Sequence, residues 1–386
     1  MRLALALSLF ATSATAQTCG GPLPAFIAGI KAEATAQGIA ASDVDRFFQG
    51  AAIDQKVLQA DRSQSVFQRD FIDFSRRLIS QNRIDNGRRF GQRYDATFDQ
   101  IARDYGIPRG VLLAFWAFET DYGQIQGDFN TRNALLTLAH DCRRPELFRP
   151  QLIAGIKLMA QGNFDPATTT GAWAGEIGQV QMLPADIIAY GRDGDGDGQV
   201  SLKTSAPDAL ISGANLLANL GWKPGEPWLQ EVTVPSTLDW FETGLNHPKR
   251  TSEWAVLGVT PKQGSLSQDL ESTVILPMGR NGPAFLAYPN FEVYFEWNQS
   301  FVYVLTAAYF ATRLEGASVY DAGNPTPGLS GDQVQTLQQK LTNRGYDVGG
   351  IDGILGAKTR EAVQLEQRRL GLPADAWPTA ELVNAL

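Results

Sequence analysis

The stretch AFWAFETDYG, Ala114–Gly123, decides how the whole chain is read. Eight of the nine residues from Val111 to Glu119 are apolar, and the ninth is Glu119 itself. An isolated carboxylate is costly to bury unless it is paired or protonated. Two readings follow. In one, a helix simply turns polar at Glu119 and the carboxylate is solvated. In the other, an apolar pocket keeps the carboxyl protonated at neutral pH, as a catalytic acid requires. Pro108 suits a helix start and Gly123 a stop just past its end, so IPRGVLLAFWAFETDYG reads as one helix.

Working outward, the pattern from Pro22 to Leu220 is mostly helical. LPAFIAGIKAEATAQG, AASDVDRFFQG, TFDQIARDYG, RPELFRPQLIAGIKLMAQG and SAPDALISGANLLANLGW carry apolar residues at helical spacing. From Gly221 to about Asn290 the texture changes. WLQEVTVP, EWAVLGVTP and STVILPMG are short β-type runs broken by Pro and Gly, which predicts a small β-containing insert. Helix is expected again over Trp297–Gly316. ASVYDAGNPTPG, residues 317–328, is small and turn-rich and reads as a linker. Residues 329–386 then read as three short amphipathic helices, a small module of modest stability.

Composition bounds the function. The start, MRLALALSLFATSATAQT, has one Arg, a short apolar core and Ala14-Thr15-Ala16, the form of an export signal cut after Ala16. This predicts a periplasmic chain of about 370 residues, enough for two domains. No later stretch is long and apolar enough to cross a bilayer. The net charge is −8 and no dense basic run is present, which argues against nucleic acid. The two histidines, His140 and His247, form no metal-ligand pattern, and no G-x-S-x-G elbow accompanies them. The two cysteines, Cys19 and Cys142, are expected to pair in an exported chain, the alternative being two unrelated thiols.

Three further segments bear chemistry. In GEIGQVQMLPADI, Gln179 and Gln181 offer amides suited to sugar hydroxyl and N-acetyl groups, or form an ordinary polar loop. In DGDGDGQVSL, Asp193, Asp195, Asp197 and the Gln199 carbonyl fit the first half of a calcium loop. Position 12 is Thr204 instead of Glu, so a tight Asp-Gly turn is the competing reading. In YPNFEVYFEWNQSFVY, Asn298 and Tyr303 flank a helix start in an aromatic-rich stretch.

Taken in order, FWAFETDYG, AWAGEIGQVQMLP, DGDGDG, SAPDAL, LPMGRNGPAFLAYPNF and WNQSFVY resemble the family B lytic murein transglycosylases over roughly Pro22–Gly316. The tail resembles the three-helix peptidoglycan-binding module, with its D-G-x-x-G-x-x-T core at Asp352, Gly353, Gly356 and Thr359, a face expected to hold the wall ligand unless its glycines only shape a turn between helices. The resemblance implies a mainly α, lysozyme-like catalytic domain over 17–316 with a small β-containing insert, followed by the module. It implies that Glu119 is the catalytic carboxylate. It assigns Arg143, Arg144, Gln181, Asn298 and Tyr303 to the substrate cleft. The residue before Trp173-Ala174-Gly175 is Ala172, where some members carry a hydroxyl, so one hydrogen bond to sugar or carboxylate is absent here.

The implied reaction breaks the β-1,4 bond between N-acetylmuramic acid and N-acetylglucosamine and leaves 1,6-anhydromuramic acid ends. No cofactor is required, and any calcium is structural. The expected partners are peptidoglycan strands and, in a wall-synthesis complex, other proteins; the chain is expected to be a monomer. Two rivals stand beside this reading. A hydrolytic muramidase needs a second carboxylate, for which Asp121 and Glu176 are the local candidates. A non-catalytic wall-binding scaffold needs none. The tail module is expected to anchor the enzyme without taking part in catalysis.

Overall fold

The structure, a computed structural model, describes residues 19–63 and 69–386. The export signal expected over residues 1–16 lies outside the described residues. The chain is mainly helical and forms two compact units.

One unit comprises the residues up to Arg62, Gly127–Glu176 and Leu183–Ile188. Helices Leu23–Ala36, Ala41–Phe48, Gln55–Arg62, Thr131–His140 and Pro145–Ala160 build it. A two-residue antiparallel pairing, Phe129–Asn130 with Thr170–Gly171, joins its later segments. Cys19 and Cys142 form the expected disulfide, with Cα atoms 5.2 Å apart. Beside it the Gly20 N–H donates to the His140 carbonyl at 2.7 Å. His140 thereby holds the Cys19–Gly20 segment against the helix Thr131–His140.

The other unit comprises the chain from Ser63 to Gln126, Ile177–Met182 and Ala189–Leu386. At its centre lies the helix Arg109–Thr120, buried on every side from Gly110 to Ala117. A helix that is apolar all round belongs in a core. Its neighbour Phe301–Leu314 is apolar for the same reason and runs close to it. A Cβ on Gly110 would sit 2.7 Å from the Ala311 carbonyl oxygen, so this crossing requires glycine. The insert is a five-stranded antiparallel sheet in the order Lys249–Arg250, Glu271–Ile275, Phe285–Ala287, Leu229–Thr233, Thr260–Pro261. Val274 stands opposite Leu286, and both are fully buried.

Two local expectations are corrected. EWAVLGVTP is mostly not strand: Thr251–Val256 is a helix, and only Thr260–Pro261 pairs. The Glu253 carboxylate accepts the Arg250 N–H at 2.7 Å, and Trp254 is buried as an anchor. That cap and anchor outweigh the β-type composition. Trp297–Gly316 is not one helix either. Helix Pro289–Trp297 ends, the chain turns through Asn298–Ser300, and helix Phe301–Leu314 begins. The Asn298 Oδ1 accepts the Ser300 N–H at 2.9 Å and makes that turn.

Residues 317–328 are irregular, as a linker should be, but they are packed in place. Tyr320 is buried, shares a 2.9 Å hydrogen bond with the Ser75 hydroxyl, and takes its N–H to the Tyr309 hydroxyl. The tail has the expected three helices, Gly331–Asn343, Ala357–Arg369 and Ala380–Ala385, around Leu337, Leu341, Val363 and Leu382. Its motif residues are mainly structural. The buried Gln338 accepts the N–H groups of Asp352 and Gly353 and donates to the Asp352 carboxylate and the Thr359 hydroxyl. Thr359 is 1% exposed and donates to the Val348 carbonyl, so it cannot meet a ligand. Gly353 and Gly356 line a cavity of about 300 Å³, together with Ser300 and Trp377.

Candidate active site

Glu119 sits one residue from the end of the central helix. One turn earlier, Phe115 stacks on Trp297 with ring centroids 4.3 Å apart. Its neighbour Phe118 meets the Tyr303 ring edge-on at 5.9 Å. The two aromatic residues on Glu119's own helix therefore hold the two side chains that reach it. Trp297 donates its indole N–H to Glu119 Oε1 at 3.0 Å, and Tyr303 donates its hydroxyl to the same oxygen at 2.5 Å. Among the described residues no hydrogen bond reaches Oε2.

The electrostatics follow from this enclosure. Desolvation pushes the Glu119 carboxyl above the usual range, and the hydrogen bonds from Tyr303 and Trp297 pull partly against it. Desolvation also holds the Tyr303 phenol well above its ordinary value, so it stays a donor. With both lone-pair directions of Oε1 already receiving donors, a proton on Glu119 belongs on Oε2. Of the two readings of the opening stretch, the solvated carboxylate is the one that fails: Glu119 is enclosed, and its carboxyl is pushed above the usual range.

The chain beyond Glu119 is pinned tightly. Asp121 and Tyr122 both have left-handed backbone, with φ of 50° and 62°, which non-glycine residues adopt at some cost. The Arg83 guanidinium donates to Asp121 Oδ1 at 3.0 Å and lies 5.8 Å over the Phe118 ring. The Tyr122 hydroxyl donates to the Arg83 carbonyl at 2.6 Å. Thr120 donates to the Gln179 carbonyl at 2.6 Å and accepts the Gly123 N–H at 2.8 Å.

Gln179 is corrected as a sugar ligand. It is buried, and its Oε1 accepts the Trp116 indole N–H at 3.1 Å. Its amide ties two segments of core together. Gln181 is only partly buried and lies in left-handed backbone, with its amide donating to the Gly178 carbonyl at 2.7 Å. Arg143 and Arg144 both pair with Asp61, which is 1% exposed. Arg143 donates to one Asp61 carboxylate oxygen at 2.6 Å and Arg144 to the other. Half of the Arg143 side chain remains exposed. Arg83 and Trp297 went unmarked in the sequence; each meets Glu119's surroundings only through folding.

In the acidic loop, Asp193, Asp195 and Asp197 bring three carboxylate oxygens within 4.8 Å of one another. Asp193 accepts the Gly196 and Gly198 N–H groups, which depresses its pKa. Asp195 accepts the Ser205 hydroxyl. The buried Asp208 anchors the loop by accepting the Gly194 and Ser201 N–H groups at 2.8 and 2.6 Å. Calcium takes roughly six to eight oxygens. Three carboxylates and the Gln199 carbonyl fit part of that set; Asp208 is occupied, and Thr204 supplies no carboxylate.

Comparison with known proteins places the chain in a family. Residues 23–312 match the family described as Transglycosylase SLT domain. Residues 330–386 match a peptidoglycan binding domain family. The solved structure of SltB3 from Pseudomonas aeruginosa in complex with NAG-anhNAM-pentapeptide is 33% identical. It covers 95% of this chain and 99% of its own, with a TM-score of 0.86. The Membrane-bound lytic murein transglycosylase B of Escherichia coli (strain K12) is 25% identical over 236 residues, 61% of this chain. The match spans 64% of that relative's length. The Escherichia coli lytic transglycosylase Slt35, solved in complex with calcium, shares the fold at 22% identity and a TM-score of 0.64. It covers 80% of this chain and 98% of its own.

Proposed function

This chain belongs to the transglycosylase SLT domain family, and from that premise we propose that it cleaves peptidoglycan as a lytic transglycosylase, with Glu119 as acid and then base. The observation that carries the reading is the convergence of Tyr303 and Trp297 on Glu119 Oε1. It leaves Oε2 to carry the proton and face the bond to be cut.

The chemistry balances with one carboxyl. Oε2–H protonates the oxygen between C1 of N-acetylmuramic acid and the next N-acetylglucosamine, and the C1–O bond breaks. The substrate's own N-acetyl oxygen stabilises the charge at C1, the substrate-assisted exception to the two-carboxylate rule. The Glu119 carboxylate then takes the proton of the C6 hydroxyl. That oxygen closes on C1, giving the 1,6-anhydro ring and returning Glu119 to its starting state. No water enters the product. As the carboxylate forms, the two donors on Oε1 stabilise it.

A muramidase would need a second carboxylate on the opposite face of the sugar. Asp121 is a poor one, because Arg83 holds it in an ion pair. We assign sugar contacts to the amides of Gln181 and Asn298 and to the exposed faces of Arg143 and Arg144. Export to the periplasm brings the protein to this substrate, and among the described residues no helix is long and apolar enough to cross a membrane. The loop at Asp193–Gln199 would hold a structural calcium ion through its three carboxylates and the Gln199 carbonyl. Mass spectrometry of muropeptides released from purified sacculi tests the reading. Products lighter by one water than muramidase fragments support it; reducing-end muramic acid as the main product overturns it.

A further inference from the structure

The tail does not stand off from the rest of its unit. Helix Ala357–Arg369 sends three side chains into the loops of the sheet insert. Arg360 donates to the Pro277 carbonyl at 2.8 Å, Gln364 to the Thr243 carbonyl at 2.7 Å, and Arg368 to the Asp239 carboxylate at 2.6 Å. From the insert, Arg280 donates its N–H and its guanidinium to Asp375, which is 3% exposed. The backbone approaches closely as well: a Cβ on Gly279 would lie 2.7 Å from Trp377. Opening such a surface would strand buried donors and acceptors, which makes it a permanent contact.

Arg360 is the centre of this surface. Its guanidinium lies 4.6 Å over the Phe301 ring and 5.6 Å from that of Trp377. It also donates to the Leu355 carbonyl, and among the described residues no carboxylate pairs with it directly. Burial pushes it down to about 9, with Asp375 pulling the other way. A buried cation without a paired anion is expensive, and aromatic faces and carbonyls are what hold it here. The ring it holds is the first residue of the helix that carries Tyr303. That helix has no side-chain cap at Ser300, whose buried hydroxyl finds no partner. Its entry is shaped by the Asn298 turn and held from outside through the Phe301 ring. Residues two apart on a helix point to nearly opposite sides, since each step turns about 100°. Phe301 faces the tail, and Tyr303 faces Glu119.

We propose that Arg360 is a positioning residue for the reaction: by clamping Phe301 from the tail module, it seats Tyr303 on Glu119 from the other side of the helix. The tail is then part of the catalytic apparatus as well as an anchor. This rests on the reading of Glu119 as the catalytic acid, but its geometry can be tested without turnover.

The test uses the full-length chain with Arg360→Lys, which lacks the planar fork, and Phe301→Leu, which lacks the aromatic face. Lys358→Ala, exposed on the same tail helix, is the control. Turnover is read on a soluble glycan tetrasaccharide, which needs no anchoring, and binding is read on sacculi. The Trp297 indole resonance, followed against pH, reports Glu119 protonation directly. Both variants should lose about tenfold in kcat with KM and sacculus binding unchanged. The Trp297 midpoint should move up in pH, because a loosened Tyr303 no longer favours the carboxylate. If Arg360→Lys does not melt cooperatively, Phe301→Leu decides alone. A folded variant with wild-type kcat and an unmoved midpoint overturns the clamp. If the wild type itself cleaves nothing, the functional reading falls, and the Trp297 midpoint alone still decides the clamp.

Discussion

Tyr303 donates to Glu119 at 2.5 Å across 184 residues of sequence. The phenol favours the ionised carboxylate, whereas the apolar surroundings favour the acid. The site's working pKa is the balance of the two, and removing either side shifts it in a known direction.

Tyr303→Phe removes the strongest hydrogen bond that lowers the Glu119 pKa. The alkaline limb of kcat/KM, which reports loss of the protonated acid, should therefore move to higher pH. Turnover should fall roughly ten- to a hundredfold, because the forming carboxylate loses a donor. A pH–rate profile on soluble glycan fragments checks both; a limb that moves down in pH contradicts the assignment.

Glu119→Gln should lose at least about a thousandfold in rate, since no neighbouring group substitutes for an essential acid and base. Binding to sacculi should survive. Stability should move the other way. The folded pKa is raised above 4.5, so the wild-type fold is penalised as pH rises from 4.5 through the folded value. Glu119→Gln should therefore melt higher than wild type at pH 7, and the difference should vanish by about pH 4. Paired melting curves at the two pH values measure it.

How much of this was legible in the sequence differs residue by residue. Glu119 was, because an apolar run ending in a carboxylate is unusual and six motifs fall in family order around it. The helices were, because their spacing is local. Trp297 and Arg83 were not: their contacts to Glu119 and Asp121 span 178 and 38 residues, and nothing nearby in sequence signals them. Gln179 and Gln181 looked alike as loop amides. Only folding turns one into the core against Trp116 and leaves the other at the surface. The tail read as a tether because the linker composition hides that Tyr320 is buried and that Arg360 meets Phe301.

Asp121→Asn separates structure from chemistry. The ion pair with Arg83 is partly exposed, and Asn tolerates left-handed backbone, so the loss should be on the order of 1 kcal/mol. The variant should keep most of its turnover and still yield anhydro ends. Loss of all turnover in a folded Asp121→Asn protein would restore Asp121 as a second catalytic carboxylate.

The disulfide between Cys19 and Cys142 closes a separation of 123 residues. In the chain-entropy account its removal costs about 4–5 kcal/mol as a ceiling. Cys19→Ser with Cys142→Ser should lower Tm measurably while leaving kcat on soluble fragments near wild type. Equal melting curves would contradict it.

Calcium should bind weakly, with Kd on the order of 10⁻⁴–10⁻³ M, as for sites short of ligands. At ten times Kd it should raise Tm by about 1–3 °C, and Asp193→Asn should abolish the rise. Turnover should be unchanged by chelation.

In the proposed reaction one carboxyl does all the proton transfer, and the sugar's own C6 oxygen takes the place of water. Digestion of sacculi in ¹⁸O-labelled water, with mass spectrometry of the new muramic acid ends, tests it most directly. The new ends should be anhydro and carry no label. New muramic acid ends that carry ¹⁸O at C1 would show that water attacked, and the protein would be a hydrolase.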